Sequence, residues 1–293
     1  MSVTLVFGAT GTVGGHTLRE LRERGVPVRA FVRHPGRLAA DVGYVCGDLD
    51  DPASVRAALD GVSQVLLCTP NDPQQVERET GVVDAAVAAG VGRLVKISAV
   101  AARRGSPSAF GDAHGRIEEH LRASGLPAVV LRPGFYMSNL LAAAATIRDT
   151  GRFFLPGADA KVAMTDPRDV AAVAAVVLTG DGHDGRTYPV TGPVALSCAE
   201  VADELSAALR RPVEYVPVPD DAARAAMVGE GMPEWLAGEV VALWRELRRG
   251  AGATTSDVVR VLTGRDPRGV AEFARDHAAA FGGVGTVGVT ATR

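Results

Sequence analysis

The chain opens on an apolar run, Val3-Thr4-Leu5-Val6-Phe7, that ends in glycines at positions 8, 11 and 14. A helical pattern follows from about Val13 to Arg24, and a second apolar run fills Val28–Val32. Short runs with little polar alternation, separated by helical stretches, are the pattern of buried parallel strands joined by right-handed crossovers. The pattern recurs: Tyr44–Cys46, Gln64–Cys68, Leu94–Ser98 and Leu126–Leu131 read as strands. Helices are predicted from Pro52, over Gln74–Ala89 and from His114 to Ser124, with a loop over Ala99–Phe110. Asp51-Pro52 is a helix start, a capping carboxylate followed by proline at the first helical position. Six strands, most followed by a helix, predict an α/β fold with a doubly wound parallel sheet of the Rossmann type.

Regularity loosens in the second half. Asp166-Pro167 opens an Ala- and Val-rich helix that ends near Gly180, and Thr187–Thr191 is a late strand. Ser197 with Glu200 three residues on reads as a capping box. Val213–Val216 is a short strand, and Asp220–Arg249 is helical, carrying Met227, Met232, Trp235, Leu236 and Trp244. That apolar set suits either a lid over an aromatic ligand or ordinary helix packing. The expected organisation is a dinucleotide-binding core over 1–135, with 156–185 returning to it, and a smaller C-terminal α+β substrate lobe over 136–155 and 186–281. The tail, 282–293, lacks periodicity and is expected to fray.

The glycine turn suits a pyrophosphate. Free backbone N–H groups and the positive end of a helix dipole converge at such a strand–turn–helix junction. Gly8 permits the tight turn, Gly11 the approach of the phosphates and Gly14 the close packing of helix on strand. At the end of the second strand, where an acidic residue would select NAD, stands Arg33, with His34 and Arg37 after it. A guanidinium pairs with a 2′-phosphate, so NADP(H) is the expected cofactor; the alternative is that Arg33 and Arg37 are solvated charges. Asp48 is placed to accept from the adenine amine or to cap its loop. Thr69 and Ser98 end the fourth and fifth strands and face the nicotinamide side by topology.

Composition narrows the setting. The 293 residues carry a net charge of −3 with scattered arginines, so no nucleic-acid partner is expected. No apolar run reaches the length of a membrane span, Leu140–Ala145 being flanked by polar residues within a few positions, and Met1 leads into the first strand without a leader pattern. Cys46, Cys68 and Cys198 are too far apart for a disulfide framework or metal knuckle, so a reducing cytoplasm is the expected location and no metal is expected. Asp166 and Asp169 read as structural rather than as a catalytic pair.

In order and spacing the pieces resemble the atypical short-chain dehydrogenase/reductase group called NmrA-like. These are GATGTVGG, FVRHPGRL, GDLDDPASV, LVKISAVAA, the His114–Leu126 stretch, LRPGFYMSN and the C-terminal VTGPVALSCAEVADEL and LTGRDPRGVAEFARDHAAAF, together spanning about residues 3–281. The resemblance implies an NADP-dependent oxidoreductase, with quinone reductases and ketoreductases among its kin and dinucleotide-sensing regulators as a second class. It implies that Gly8, Thr10, Gly11, Thr12, Val13 and Gly14 contact the pyrophosphate. Arg33 and Arg37 would face the 2′-phosphate, Asp48 and Leu49 the adenine, Thr69 and Pro70 the ribose, and Pro133 and Gly134 the carboxamide. It also implies a Tyr and a Lys four residues later on the fifth helix, and here the chain departs: those positions fall near Gly111 and Gly115, and none of Tyr44, Tyr136, Tyr188 or Tyr215 begins such a motif.

Three replacements are candidates. His114 can donate a proton near neutral pH, or it is a helix-start residue bonded to local backbone. Ser98 can hydrogen-bond a substrate carbonyl, or it is an ordinary strand-end hydroxyl. Tyr136 can line the pocket, or it is a half-buried aromatic. A fourth route needs no protein acid: quinones, or aromatic ketones with an adjacent phenol, take hydride and obtain the proton from solvent or their own hydroxyl. The expected function is NADPH-dependent reduction of a small quinone or aromatic ketone, an aromatic polyketide of antibiotic biosynthesis being one candidate, by a monomer or homodimer. An NADP(H)-sensing regulator that binds a partner protein and reduction of a carbon–carbon double bond are the alternatives.

Overall fold

The computed structural model describes residues 3–283, the side chain of Arg37 excepted, so residues 284–293 of the expected tail lie outside the described residues. The chain divides into two compact units. The first runs through Gly134 and adds Pro167–Val190 and Ser256–Asp266. The second comprises Phe135–Asp166, Thr191–Thr255 and the chain from Pro267 onward.

The first unit holds a seven-stranded sheet. Its strands are β1 (Val3–Phe7), β2 (Val28–Val32), β3 (Tyr44–Cys46), β4 (Val62–Leu67), β5 (Arg93–Ile97), β6 (Ala128–Pro133) and β8 (Thr187–Val190), in the order β3-β2-β1-β4-β5-β6-β8. Every neighbouring pair is parallel, with Thr4 opposite Val28 and Gln64. The order reverses between β1 and β4. Crossovers of one hand that step in opposite directions from that point place their helices on opposite faces. Helices α2 (Pro52–Ala58), α3 (Gln75–Ala88) and α4 (Ala109–Ala123) bury Val55, Val82, Val83, Ala86 and Leu121 against Leu5, Phe7, Phe31, Val65, Leu67 and Leu94. Helices α1 (Thr12–Glu23), α6 (Pro167–Thr179) and α10 (Val258–Thr263) pack together; ten of the thirteen residues of α6 are buried, which is why it reads as almost wholly apolar.

The second unit has its own core. A parallel pair, β7 (Arg152–Leu155) and β9 (Glu214–Pro217), joins α5 (Ala144–Thr150), α7 (Cys198–Leu209), α8 (Asp220–Gly229), α9 (Glu234–Arg248) and α11 (Val270–Asp276). Phe153, Trp244, Phe273 and Phe281 fill its centre, and the Trp244 ring lies 5.2 Å from that of Phe135. The capping box on α7 is complete: Glu200 N–H donates to Ser197 Oγ at 3.2 Å, and Ser197 N–H to Glu200 Oε2 at 2.7 Å.

Several expectations shift. Residues 156–166 group with the second unit, where Val162 bridges Leu196 and Thr165 bridges Tyr136. Thr187–Val190 groups with the first because it hydrogen-bonds to β6, and Ser256 follows it by donating to the Pro189 carbonyl at 2.6 Å. The helical pattern over Asp220–Arg249 is two helices, broken around Gly231 (φ +93°) and Pro233. Helix α4 starts at Ala109, so His114 lies inside the helix and not at its start. Among the described residues no helix is long and apolar enough to cross a membrane.

Of the large apolar residues expected on the α8–α9 stretch, Trp244 is 1% exposed and Trp235 41%. Trp244→Ala should therefore destabilise the second unit by roughly 3–5 kcal/mol in denaturant unfolding, whereas Trp235→Ala should stay within about 0.5 kcal/mol. Equal effects would contradict this packing.

Candidate functional site

The turn after β1 is shaped by close backbone approach. Gly8 has φ +74°, and a Cβ there would fall 1.8 Å from the Cys68 carbonyl oxygen at the end of β4. A Cβ on Gly14 would sit 2.2 Å from the Gly8 carbonyl oxygen. Both positions exclude a side chain, while Gly11, at 3.2 Å from the same oxygen, is merely tight. Thr10, Gly11 and Thr12 are exposed and Val13 is buried. Helix α1 starts with no acidic residue in its first turn and no side-chain cap, so its positive end is not neutralised from within. This cradle fits a dinucleotide pyrophosphate on steric and electrostatic grounds.

Arg33 stands exposed beyond β2 and, among the described residues, makes no hydrogen bond or ion pair. Its neighbour Asp50 is clamped by Arg78, whose Nε and second guanidinium nitrogen each lie 2.6 Å from a carboxylate oxygen. Those hydrogen bonds, with smaller contributions from the charges of Arg78 and Arg33, hold the Asp50 carboxyl below its usual range. The Arg37 side chain lies outside the described residues. Asp48 is exposed, with Oδ1 accepting from Asp50 N–H at 3.1 Å, while Leu49 packs on the sheet core. Pro70 is exposed. Pro133 is buried, its carbonyl accepting from Val100 N–H at 2.9 Å, and Gly134 donates to the Val190 carbonyl at 3.0 Å.

Two buried polar groups of residues lie beneath this edge. In the first, Ser98 Oγ donates to Glu118 Oε1 at 2.6 Å, and Arg132 grips the same carboxylate at 2.9 and 2.6 Å. Ser98 thus spends its only proton on Glu118, which corrects the expectation that it donates to a substrate carbonyl. In the second, Thr69 Oγ1 donates to Glu79 Oε1 at 2.6 Å, Gln75 donates to that oxygen at 3.0 Å, and Lys96 Nζ lies 2.7 Å from Glu79 Oε2. Both charged side chains are 0% exposed. This group was missed from the sequence. The signal was Lys96 itself, an ammonium inside a buried strand reading LVKIS, which demands a carboxylate partner.

His114 is 6% exposed, and its Nδ1 is buried without a hydrogen-bond partner. Burial, and secondarily the Lys96 charge, hold its pKa well below 6.5. The ring is neutral at neutral pH, which corrects its expected role as a cationic acid. Tyr136 belongs to the second unit, half-buried at the bridge to Thr165.

The two helix positions assigned by resemblance to a tyrosine and a lysine are closed to side chains. A Cβ on Gly111 would meet Ser106 Oγ at 2.5 Å and the Ala101 carbonyl oxygen at 2.9 Å. One on Gly115 would meet Arg104 N at 2.3 Å and Arg103 C at 2.4 Å. The loop before α4 is pinned there, with Arg103 N–H donating to the Gly111 carbonyl at 3.0 Å and Gly105 N–H to Asp112 Oδ1 at 2.7 Å.

With this geometry in view, the model of the NmrA-like family matches residues 1–254. The NAD(P)H azoreductase of Xenophilus azovorans is 43% identical over 282 residues, covering 95% of this chain and 99% of that protein. The (4-alkanoyl-5-oxo-2,5-dihydrofuran-3-yl)methyl phosphate reductase of Streptomyces griseus is 41% identical over 281 residues, covering 94% and 98%. The crystal structure of an NADPH-dependent quinone oxidoreductase of Escherichia coli complexed with NADPH superposes with a TM-score of 0.84 at 29% identity, covering 92% of this chain and 98% of that one.

Two outcomes follow from the geometry. Gly14→Ala should weaken NADPH binding at least about tenfold and destabilise by roughly 1–3 kcal/mol, because the obstructing atom is backbone. Gly81→Ala, in α3 with open space around it, should instead stabilise by about 0.5–1 kcal/mol; calorimetry and NADPH titration check both. For His114, the unfolded chain binds the proton below pH 6.5 and the folded chain does not. Stability is therefore full above that pH and falls as pH drops below it, by about 1.4 kcal/mol per pH unit for one proton. His114→Asn should flatten this share of the acid slope in denaturation curves from pH 7 to 5.

Proposed function

We propose a substrate class and a proton source for this chain, which belongs to the NmrA-like family and is an NADP-dependent oxidoreductase. It reduces a quinone or an aromatic ketone, and the proton comes from solvent or the acceptor's own hydroxyl. The observation that carries this reading is the closure of Gly111 and Gly115 by the preceding loop, which leaves α4 no room for a tyrosine or a lysine. The substitutes on the first unit point the same way. Ser98 has committed its proton to Glu118, and His114 is neutral.

When bound, reduced NADP supplies hydride. Gly8, Thr10, Gly11, Thr12, Val13 and Gly14 would hold the pyrophosphate, Arg33 and Arg37 the 2′-phosphate, and Asp48 and Leu49 the adenine. Thr69 and Pro70 would lie along the ribose and Pro133 and Gly134 by the carboxamide, with Tyr136 lining the substrate side. The acceptor's chemistry then decides whether an acid is needed. Hydride addition to an ordinary ketone leaves an alkoxide about as basic as hydroxide, far too basic to persist in water. A quinone instead becomes a phenolate, whose conjugate acid has a pKa of about 10, like that of tyrosine. Water protonates the second product without help, so a site without an acid is competent for it and poor for the first. The relatives' names, which include a quinone oxidoreductase and an azoreductase, also support an electron-poor conjugated acceptor.

The test is NADPH oxidation against a panel of naphthoquinones, polycyclic hydroxy-ketones and simple aliphatic ketones. Turnover is expected with the first two and not the third; aliphatic turnover alone, or none at all, would overturn the proposal. Arg33→Ala should raise the Kd for NADPH roughly ten- to a hundredfold, the worth of a charged hydrogen bond, and leave that for NADH unchanged.

A further inference from the structure

An ion pair with no exposure needs a reason. Desolvating two charges costs several kcal/mol, and a well-packed apolar pair in their place is often neutral or stabilising. Lys96 and Glu79 therefore sit where ordinary strand and helix residues would serve stability equally well. What distinguishes the site is the third member. Thr69 follows β4 at the point where the strand order reverses, and it is half-buried rather than sealed.

An ionised carboxylate only accepts hydrogen bonds, and a threonine hydroxyl has one proton. Glu79 Oε2 faces the Lys96 ammonium at 2.7 Å, and Lys96 also donates to the Ile97 carbonyl. Glu79 Oε1 receives Thr69 Oγ1 at 2.6 Å and Gln75 Nε2 at 3.0 Å. The 2.6 Å contact is in the range of a charge-assisted O–H···O⁻ bond. The Thr69 proton is thus fixed inward, and only lone pairs remain to face a ligand. Of the titratable groups nearby, His114 is neutral, and burial pushes the Cys68 thiol up to about 11.

We infer that Glu79, backed by Lys96, is a positioning residue that fixes the Thr69 hydroxyl as a hydrogen-bond acceptor for a hydroxyl of the nicotinamide-side ribose. The inference rests on the proposed placement of Thr69 along the ribose. It assigns to a buried strand lysine and a helix glutamate a share of cofactor orientation, a task that α4 has no side chain to perform at Gly115.

The test uses the full-length protein and two ligands, NADPH and 2′,5′-ADP, which lacks the nicotinamide ribose. Thr69→Val should weaken NADPH about five- to tenfold, one hydrogen bond's worth, and leave 2′,5′-ADP unchanged, while Thr69→Ser should restore NADPH affinity. In Glu79→Gln the amide oxygen turns to Lys96 and the amide nitrogen donates to Thr69, reversing the hydroxyl's polarity. NADPH affinity should fall by a similar factor, again with 2′,5′-ADP unchanged. The Thr69→Val/Glu79→Gln double variant should bind no worse than either single variant. Multiplicative losses, or equal weakening of both ligands by Glu79→Gln, would overturn the inference. Should Glu79→Gln fold poorly, Glu79→Leu/Lys96→Met removes the acceptor of the Thr69 proton together with its ammonium, and NADPH affinity equal to the parent's would overturn it as well. A Thr69→Val variant that binds NADPH normally would instead remove the ribose assignment on which the inference stands.

Discussion

The rest of the first unit depends on one approach of backbone to backbone. The Cys68 carbonyl of β4 passes so close to Gly8 that a Cβ would fall 1.8 Å away, and the Gly8 carbonyl in turn lies 2.2 Å from where a Gly14 Cβ would be. A strand end, a turn and a helix start are thereby pressed together. Helix α1 begins directly over the edge where the strand order reverses, with no acidic residue in its first turn. Had either glycine a side chain, α1 would stand off the sheet and its free N–H groups would lose the common direction that makes the turn an anion cradle. The residues beyond the cradle, Arg33 after β2 and Thr69 after β4, take their places from the parallel register on either side of β1.

The same kind of constraint acts with opposite effect on α4. At Gly111 and Gly115 the preceding loop, not a neighbouring strand, occupies the space a side chain would need. The loop is held there by main-chain hydrogen bonds, so the glycines have become packing positions. Polar chemistry near this helix then sits on other elements. Glu118 on α4 ties Ser98 of the β5 end to Arg132 of β6, and Lys96 of β5 reaches Glu79 of α3. Each buried carboxylate has a cation and a hydroxyl, the arrangement that lets a charge persist in a dry core.

The strands, the first turn and the helix starts at Pro52 and Ser197 were legible because each rests on local chemistry: apolar runs, glycine, proline and capping side chains. The doubly wound parallel sheet followed from alternation, and the NADP(H) expectation from Arg33. The buried networks were not legible, although Lys96 stood in plain view within LVKIS. Its partner Glu79 lies on the preceding helix, far from it in sequence, and only the register of β4 against β5 brings the two together. The roles considered for Ser98 and His114 met the same limit, since position at a strand end or on a helix says nothing about which neighbour takes a proton or how deeply a ring is buried. In the second unit, short pieces such as Arg152–Leu155 and Ala144–Thr150 carry too few residues for periodicity to declare them.

Under the proposed reading, a site without a protein acid shifts the burden of catalysis onto position. Holding hydride donor and acceptor in a reactive geometry is worth about 7–11 kcal/mol when the geometry is kept, and a misplacement of about 1 Å forfeits much of it. Such a site gains more from rigidity beneath the cofactor than from any proton donor beside the substrate. A buried carboxylate that takes a hydroxyl's proton gives that rigidity in a way an apolar core does not, because a hydroxyl whose proton is committed has one polarity to offer. The ion pair under Thr69 and the carboxylate under Ser98 are therefore consistent with the absence of room on α4: the polar residues of this edge are arranged to hold, and under the proposed reading proton supply is left to the acceptor and to water.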